Sequence, residues 1–122
     1  MAPVRPTEKE LWKKIAKLRS AIASDSWQLA SIEKVAPQLS SLGCVTAEET
    51  KDFLSAVAEE VEPKSYAGSK PPQKAYEPLC KEAELFAFCW QSQAANVRLY
   101  FKFCFVRESL YIVSIHKSEE QS

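Results

Sequence analysis

Five side chains near the end of this 122-residue chain have the types and spacing to do chemistry together. They are Arg98, Tyr100, Lys102, Ser114 and His116, within VRLYFKFCFVRESLYIVSIHK, and His116 is the only histidine present. A guanidinium, a phenol, an ammonium and an imidazole have complementary uses around a phosphodiester. The cations hold the phosphate and stabilise charge that builds on its oxygens. The imidazole moves a proton near neutral pH. The phenol hydrogen-bonds the phosphate or a ribose hydroxyl. RNA cleavage through its own 2′-hydroxyl asks for these groups. The same residues also have an ordinary reading. A lone histidine at a strand end is commonly an edge residue, and Tyr opposite His is a common cross-strand pair.

Whether the five meet depends on two strands and the turn between them. Dense aromatic and β-branched residues predict strands over Val97–Val106 and Leu110–His116. Side chains alternate across a strand. Val97, Leu99, Phe101, Phe103 and Phe105 therefore share a core face, and Arg98, Tyr100, Lys102, Cys104 and Val106 share the other. In the second strand Tyr111, Val113 and Ile115 alternate with Leu110, Ile112, Ser114 and His116. A two-residue turn at Arg107-Glu108 sets Phe103 opposite Ile112, which sends His116 to the core side. A three-residue loop, Arg107-Glu108-Ser109, sets Phe103 opposite Val113, Phe101 opposite Ile115, Lys102 opposite Ser114 and Tyr100 opposite His116. The second register gathers apolar with apolar and polar with polar, so it is the expected one. It displays Arg98, Tyr100, Lys102, Ser114 and His116 together, with Leu110, Ile112 and Val106 making the same face apolar toward the turn.

The rest of the chain must support that hairpin. Thr7 and Glu10 form a capping box before Leu11, Ile15, Leu18 and Ile22, which repeat at helical spacing. Lys9, Lys13, Lys14 and Lys17 lie on the other faces of that helix. They make either a solvated face or a phosphate or partner surface. Trp27 to Leu42 is a second amphipathic region, which Pro37 is expected to break or kink and Gly43 to cap. A third helix starts at the Thr46–Glu49 capping box, runs through Phe53, Leu54, Val57 and Val61, and stops before Pro63. PKSYAGSKPPQKAYEP reads as a loop, either a connector or a substrate-binding loop using Lys64, Tyr66, Lys70, Lys74 and Tyr76. A further strand covers Leu85–Gln91. The whole reads as one α+β domain over 1–122, with helices over 1–62, a loop over 63–83 and an antiparallel meander over 84–117.

Composition sets the outer limits. With 46% hydrophobic and 26% charged residues the chain is ordinary globular material. Two glycines exclude a Gly-rich phosphate loop. Cys44, Cys80, Cys89 and Cys104 form no CxxC pair, so neither a zinc site nor any other metal or cofactor is expected. Cys89 and Cys104 read as buried thiols. No apolar run approaches a membrane span, and MAPVRPTEKELWKK has no secretory h-region, so the expectation is a cytoplasmic protein without a membrane partner. The formal net charge of +0 gives no overall pull toward nucleic acid.

The C-terminal segment resembles the MqsR and RelE type of toxin ribonuclease. The likeness runs over residues 46–122 and is densest over 97–116. It rests on Tyr100-Phe101-Lys102, on Val113-Ser114-Ile115-His116, on Pro63-Lys64-Ser65 and on the helix TAEETKDFLSAV before it. The chain departs from the family in its longer loop and in having His116 where a lysine is expected. The family's loop glutamine has two candidate counterparts, Gln73 and Gln91. The resemblance implies a RelE-like, microbial-RNase-like fold and metal-free mRNA cleavage by the toxin of a toxin–antitoxin pair. It makes RNA and an antitoxin protein the partners. Tyr100 and Lys102 would polarise the scissile phosphate, and His116 would protonate the leaving 5′-oxygen or take the 2′-proton. Lys64, Arg98 and Lys74 would hold neighbouring phosphates. The alternative is a protein without enzymatic activity, an immunity protein, antitoxin or adaptor, docking through the hairpin edge or through Glu48, Glu49, Glu59, Glu60 and Glu62.

Overall fold

The structure is a computed structural model that describes residues 6–67 and 85–118. Three helices and a 3-10 turn share the chain with four strands. They are α1 (Glu8–Ala23), β1 (Trp27–Leu29), α2 (Ile32–Ser41), α3 (Ala47–Glu60), the 3-10 turn Pro63–Ser65, β2 (Leu85–Ser92), β3 (Val97–Val106) and β4 (Ser109–Lys117). The architecture is α+β. β2, β3 and β4 form the antiparallel meander, while β1 joins the far edge of β4 in parallel, giving the order β1-β4-β3-β2.

Local chemistry sets the helix ends. Both capping boxes form: Thr7 accepts from the Glu10 N–H and Thr46 from the Glu49 N–H, each with the glutamate reaching back. Gly43 ends α2 at φ +94°, where its N–H and that of Cys44 bond the Ser40 and Leu39 carbonyls. This double closure needs a left-handed residue, and glycine takes that conformation at no steric cost. Arg19 of α1 completes the end of α3. Its Nε donates to the Ala58 carbonyl at 2.9 Å and a terminal nitrogen to those of Glu59 and Val61. The last turn of α3 has no basic residue of its own, so α1 supplies the cation that its carbonyls favour.

The helices cover one face of the sheet. Leu11, Ile15, Leu18 and Ile22 of α1, Val35 and Leu39 of α2, and Leu54 and Val57 of α3 pack on Phe86, Phe88, Leu99, Phe101, Phe103, Leu110, Ile112 and Ile115. Each fully buried side chain of this size contributes roughly 1.5–3 kcal/mol, so this layer dominates stability. A smaller cluster of Leu85, Cys104 and Val113, with Tyr111, Val106 and Ala30, occupies the second face, and no described helix joins it.

Three expectations are corrected. First, Trp27–Leu42 is not one helical region: Trp27–Leu29 is a strand, and α2 starts only at the Ser31 cap. Trp27 and Leu29 pair with Leu110 and Ile112 at the edge of the sheet and pack against its core. Second, α2 runs through Pro37. Proline deletes one backbone bond, which the Ser31 cap and the buried Val35 and Leu39 offset. Third, the hairpin register is a hybrid. Tyr100 faces His116, Phe101 faces Ile115 and Lys102 faces Ser114, but Phe103 faces Ile112 and Val106 faces Ser109. The turn is the two-residue Arg107-Glu108, with φ of 50° and 70°, the signature of a turn that matches strand twist. A β-bulge in β4 at Val113 absorbs the extra residue. The bulge delivers Leu110 and Ile112 to the core and moves Tyr111 and Val113 to the second face, the reverse of the alternation expected for this half of β4.

Candidate functional site

The bulge lets His116 leave the core side despite the tight turn. Its imidazole stacks on the Tyr100 phenol, with centroids 5.2 Å apart and planes 29° from parallel. Lys102 follows two residues along β3, its Nζ 6.0 Å from the Tyr100 ring centroid, and faces Ser114 across the strands. On the other side β2 sets Gln91 opposite Arg98, Cys89 opposite Tyr100 and Ala87 opposite Lys102. The second face thus grades along the strands. It is apolar near the turn, with Leu85, Cys104 and Val113, and polar at the far end, with Gln91, Arg98, Tyr100, Lys102, Ser114 and His116.

The histidine tautomer follows from geometry. His116 Nδ1 lies 2.9 Å from the Lys117 carbonyl oxygen. A carbonyl only accepts, so Nδ1 carries the proton and donates, and in the neutral ring Nε2 keeps its lone pair. A ring held this way presents a base at Nε2. Arg98 adds a second signal. Its Nε is buried and lacks a hydrogen-bond partner among the described residues. A buried donor without a partner is costly, and an anion brought beside it would relieve that cost.

Arg98, Tyr100, Lys102 and His116, together with Ser114, are brought onto one face. Lys64 is not among them. It stands on the 3-10 turn, strongly exposed, 3.6 Å from Glu62, and lines a hollow with Pro6, Glu8 and Leu11. Lys74, Gln73, Lys70, Tyr76 and Cys80 lie outside the described residues. Tyr66 lies at the outer edge of β2, bridging Phe88, and the Ala67 N–H bonds the Ala87 carbonyl at 2.7 Å. Cys104 is buried, but Cys89 is only half-buried. Burial, aided by the Glu49 carboxylate, raises the Cys44 thiol above its ordinary value, so it is not an activated nucleophile. Among the described residues no group of three His, Cys, Asp or Glu side chains gathers as a metal site requires, and no helix is long and apolar enough to cross a membrane.

No known protein family, curated protein or solved structure matches this chain.

Several charged residues left open by composition have structural employment. Lys17 lies 4.7 Å over the Phe105 ring and 3.5 Å from Glu108, and Lys14 reaches over Phe86. Their stems shield the sheet where α1 crosses it. Glu49 closes a capping box, Glu59 pairs with Arg19 and Glu62 with Lys64. Glu60 has the largest task. Its carboxylate accepts from Trp90 Nε1 at 2.9 Å, Ser92 Oγ at 2.6 Å and the Gln93 and Ala94 N–H groups at 3.0 and 2.9 Å. Burial pushes this carboxyl up, but the bonds from Ser92, Trp90, Ala94 and Gln93 outweigh it and hold it below the usual carboxylate range.

Sequence reading missed Gln38. Its Oε1 accepts from the Ile115 N–H at 2.9 Å, on the part of the β4 edge that β1 does not reach. A glutamine beside an in-helix proline carries no periodic signal, and its role exists only once α2 lies along β4.

Proposed function

We propose that this protein is a metal-independent endoribonuclease whose second sheet face binds single-stranded RNA and cleaves it through the 2′-hydroxyl. The observation that carries the reading is the Tyr100–His116 stack beside Lys102, with Nδ1 of the histidine tied to the Lys117 carbonyl. In this scheme His116 Nε2 takes the proton from the 2′-hydroxyl. The 2′-oxygen forms its bond to phosphorus as the bond from phosphorus to the 5′-oxygen breaks. The Lys102 ammonium gives a proton to the departing 5′-oxygen, and solvent later restores both groups. Tyr100 and Arg98 hold the phosphate oxygens as charge builds on them. The products are a 2′,3′-cyclic phosphate and a 5′-hydroxyl. The likeness to the MqsR and RelE toxins supports the same chemistry, and with it an antitoxin that masks this face.

The alternative, an immunity protein, antitoxin or adaptor that docks through its acidic helix, draws support from the net charge of +0. It is weakened because Glu49, Glu59, Glu60 and Glu62 already have partners within the chain.

The test compares an RNA oligonucleotide with the same sequence carrying 2′-deoxy sugars. Cleavage of the RNA alone, with cyclic-phosphate ends seen by mass spectrometry, is expected. Equal cleavage of both oligonucleotides overturns the reading.

A further inference from the structure

β1 covers one edge of β4 only as far as Ile112, so on that edge, among the described residues, the end of β4 runs beside α2 and not beside a strand. A cavity of about 520 Å³ opens there between α2 and the strand ends. This lies within the roughly 300–1,000 Å³ of pockets that hold small ligands. Pro37 and Leu42 give it apolar walls, Gln38 and Ser41 add polar groups, and His116 and Lys117 form its remaining side.

His116 therefore belongs to both the catalytic face and this cavity. Resting on the ribonuclease reading, the geometry points to the cavity as the pocket for one nucleobase of the RNA, with Gln38 setting which base is accepted. The apolar walls suit a planar ring. The exposed Lys117 suits the phosphate attached to that nucleoside. The polar content gives the specificity. Gln38 Oε1 is committed to the Ile115 N–H, and a backbone N–H can only donate, which fixes the amide's orientation. With one Oε1 lone pair taken, what Gln38 chiefly offers a ligand is its Nε2 amino group, two donors. Such a group pairs with the edge on which guanine presents O6 and N7 and uracil presents O4, acceptors without a donor beside them. On the same edge it meets the N6 amino group of adenine or the N4 amino group of cytosine donor against donor. A pocket that reads this edge through Gln38 selects guanine and uracil over adenine and cytosine.

The experiment has a binding arm and a cleavage arm. Isothermal titration with the four nucleoside monophosphates should show GMP and UMP binding about tenfold more tightly than AMP and CMP. Gln38→Glu keeps an oxygen for the Ile115 N–H but replaces the donors with an acceptor, so the preference should reverse toward AMP and CMP. Ser41→Trp, at an exposed position on the rim, should fill the cavity and abolish monophosphate binding. Thermal unfolding confirms that each variant is folded. Equal binding of the four monophosphates, or an unchanged preference in folded Gln38→Glu, overturns the pocket assignment. Monophosphate selectivity in a protein that cuts no RNA would sustain the pocket and sink the ribonuclease reading. Cleavage without base preference would do the opposite.

Discussion

At the scale of single residues, two carboxylates and one imidazole show how partners decide roles. Glu60 looked like one acid among several on a solvated helix, yet four donors converge on it and the β2–β3 turn hangs from its oxygens. Glu60→Gln keeps the shape but loses the charge that strengthens these bonds, and it turns an amino group on some of the donors. It should cost about 1–3 kcal/mol, read as a lowered midpoint in urea unfolding. A loss of only a few tenths would mean that the turn holds itself. Glu49, by contrast, is bonded by the Thr46 and Val45 N–H groups at the exposed start of α3. His116 differs from both because its neighbour's carbonyl leaves one nitrogen unused. The residues of the candidate site were legible in the sequence because the chain's one histidine ends a strand and a tyrosine and lysine stand at strand spacing on the strand before it. Gln38 and Glu60 were not legible, because their roles come from contacts between residues 77 and 30 or more positions apart.

At the scale of elements, the β3–β4 hairpin is where reading and structure part company most usefully. Strand limits over Val97–Val106 were legible from composition, and both candidate registers were identified. Each describes half of the hairpin: the two-residue turn sets the end near Arg107, and the longer register sets the end near His116. A bulge has no residue signature here, since Val113 is as good a strand residue as its neighbours, so the sequence could not announce it. Two predictions follow the bulge. Deleting Val113 should remove the bulge and leave a regular hairpin in which Lys102 still faces Ser114 and Tyr100 still faces His116, at a cost limited to the lost Val113 packing, roughly 1.5–3 kcal/mol. If the deletion instead unfolds the protein or separates His116 from Tyr100 in nuclear Overhauser contacts, the bulge does more than absorb one extra residue. The turn makes the converse test. Arg107 and Glu108 both adopt positive φ, at roughly 1 kcal/mol or more each. Arg107→Asn with Glu108→Gly should raise stability by about 1 kcal/mol despite losing the Lys17 contact, which joins exposed side chains and contributes little. β1 escaped notice for a different reason: three residues cannot show a period, and parallel pairing with Leu110–Ile112 across the chain is invisible locally.

At the scale of the whole molecule, the division of faces decides what is stable and what is available. One sheet face is buried under three helices, and the other carries every side chain of the candidate site. Stability and chemistry can therefore be varied separately. The pH dependence belongs to the first. Glu60 and Glu49 have folded-state pKa values below the ordinary 4.5, so each contributes stability above that value and loses it as pH falls through the folded value. Thermal melts from neutral pH down to about pH 3 should lose stability progressively below about pH 4.5, and Glu60→Gln should flatten the decline. The chemistry belongs to the second face, and one assay reaches it most directly. A long mixed-sequence RNA is incubated in EDTA with wild-type protein, His116→Ala and Tyr100→Phe. The account predicts cleavage by the wild type, a loss of about 10²–10⁴-fold in His116→Ala, and a smaller loss in Tyr100→Phe. Cleavage that survives both substitutions, or no cleavage by wild-type protein on free or ribosome-bound RNA, would contradict it.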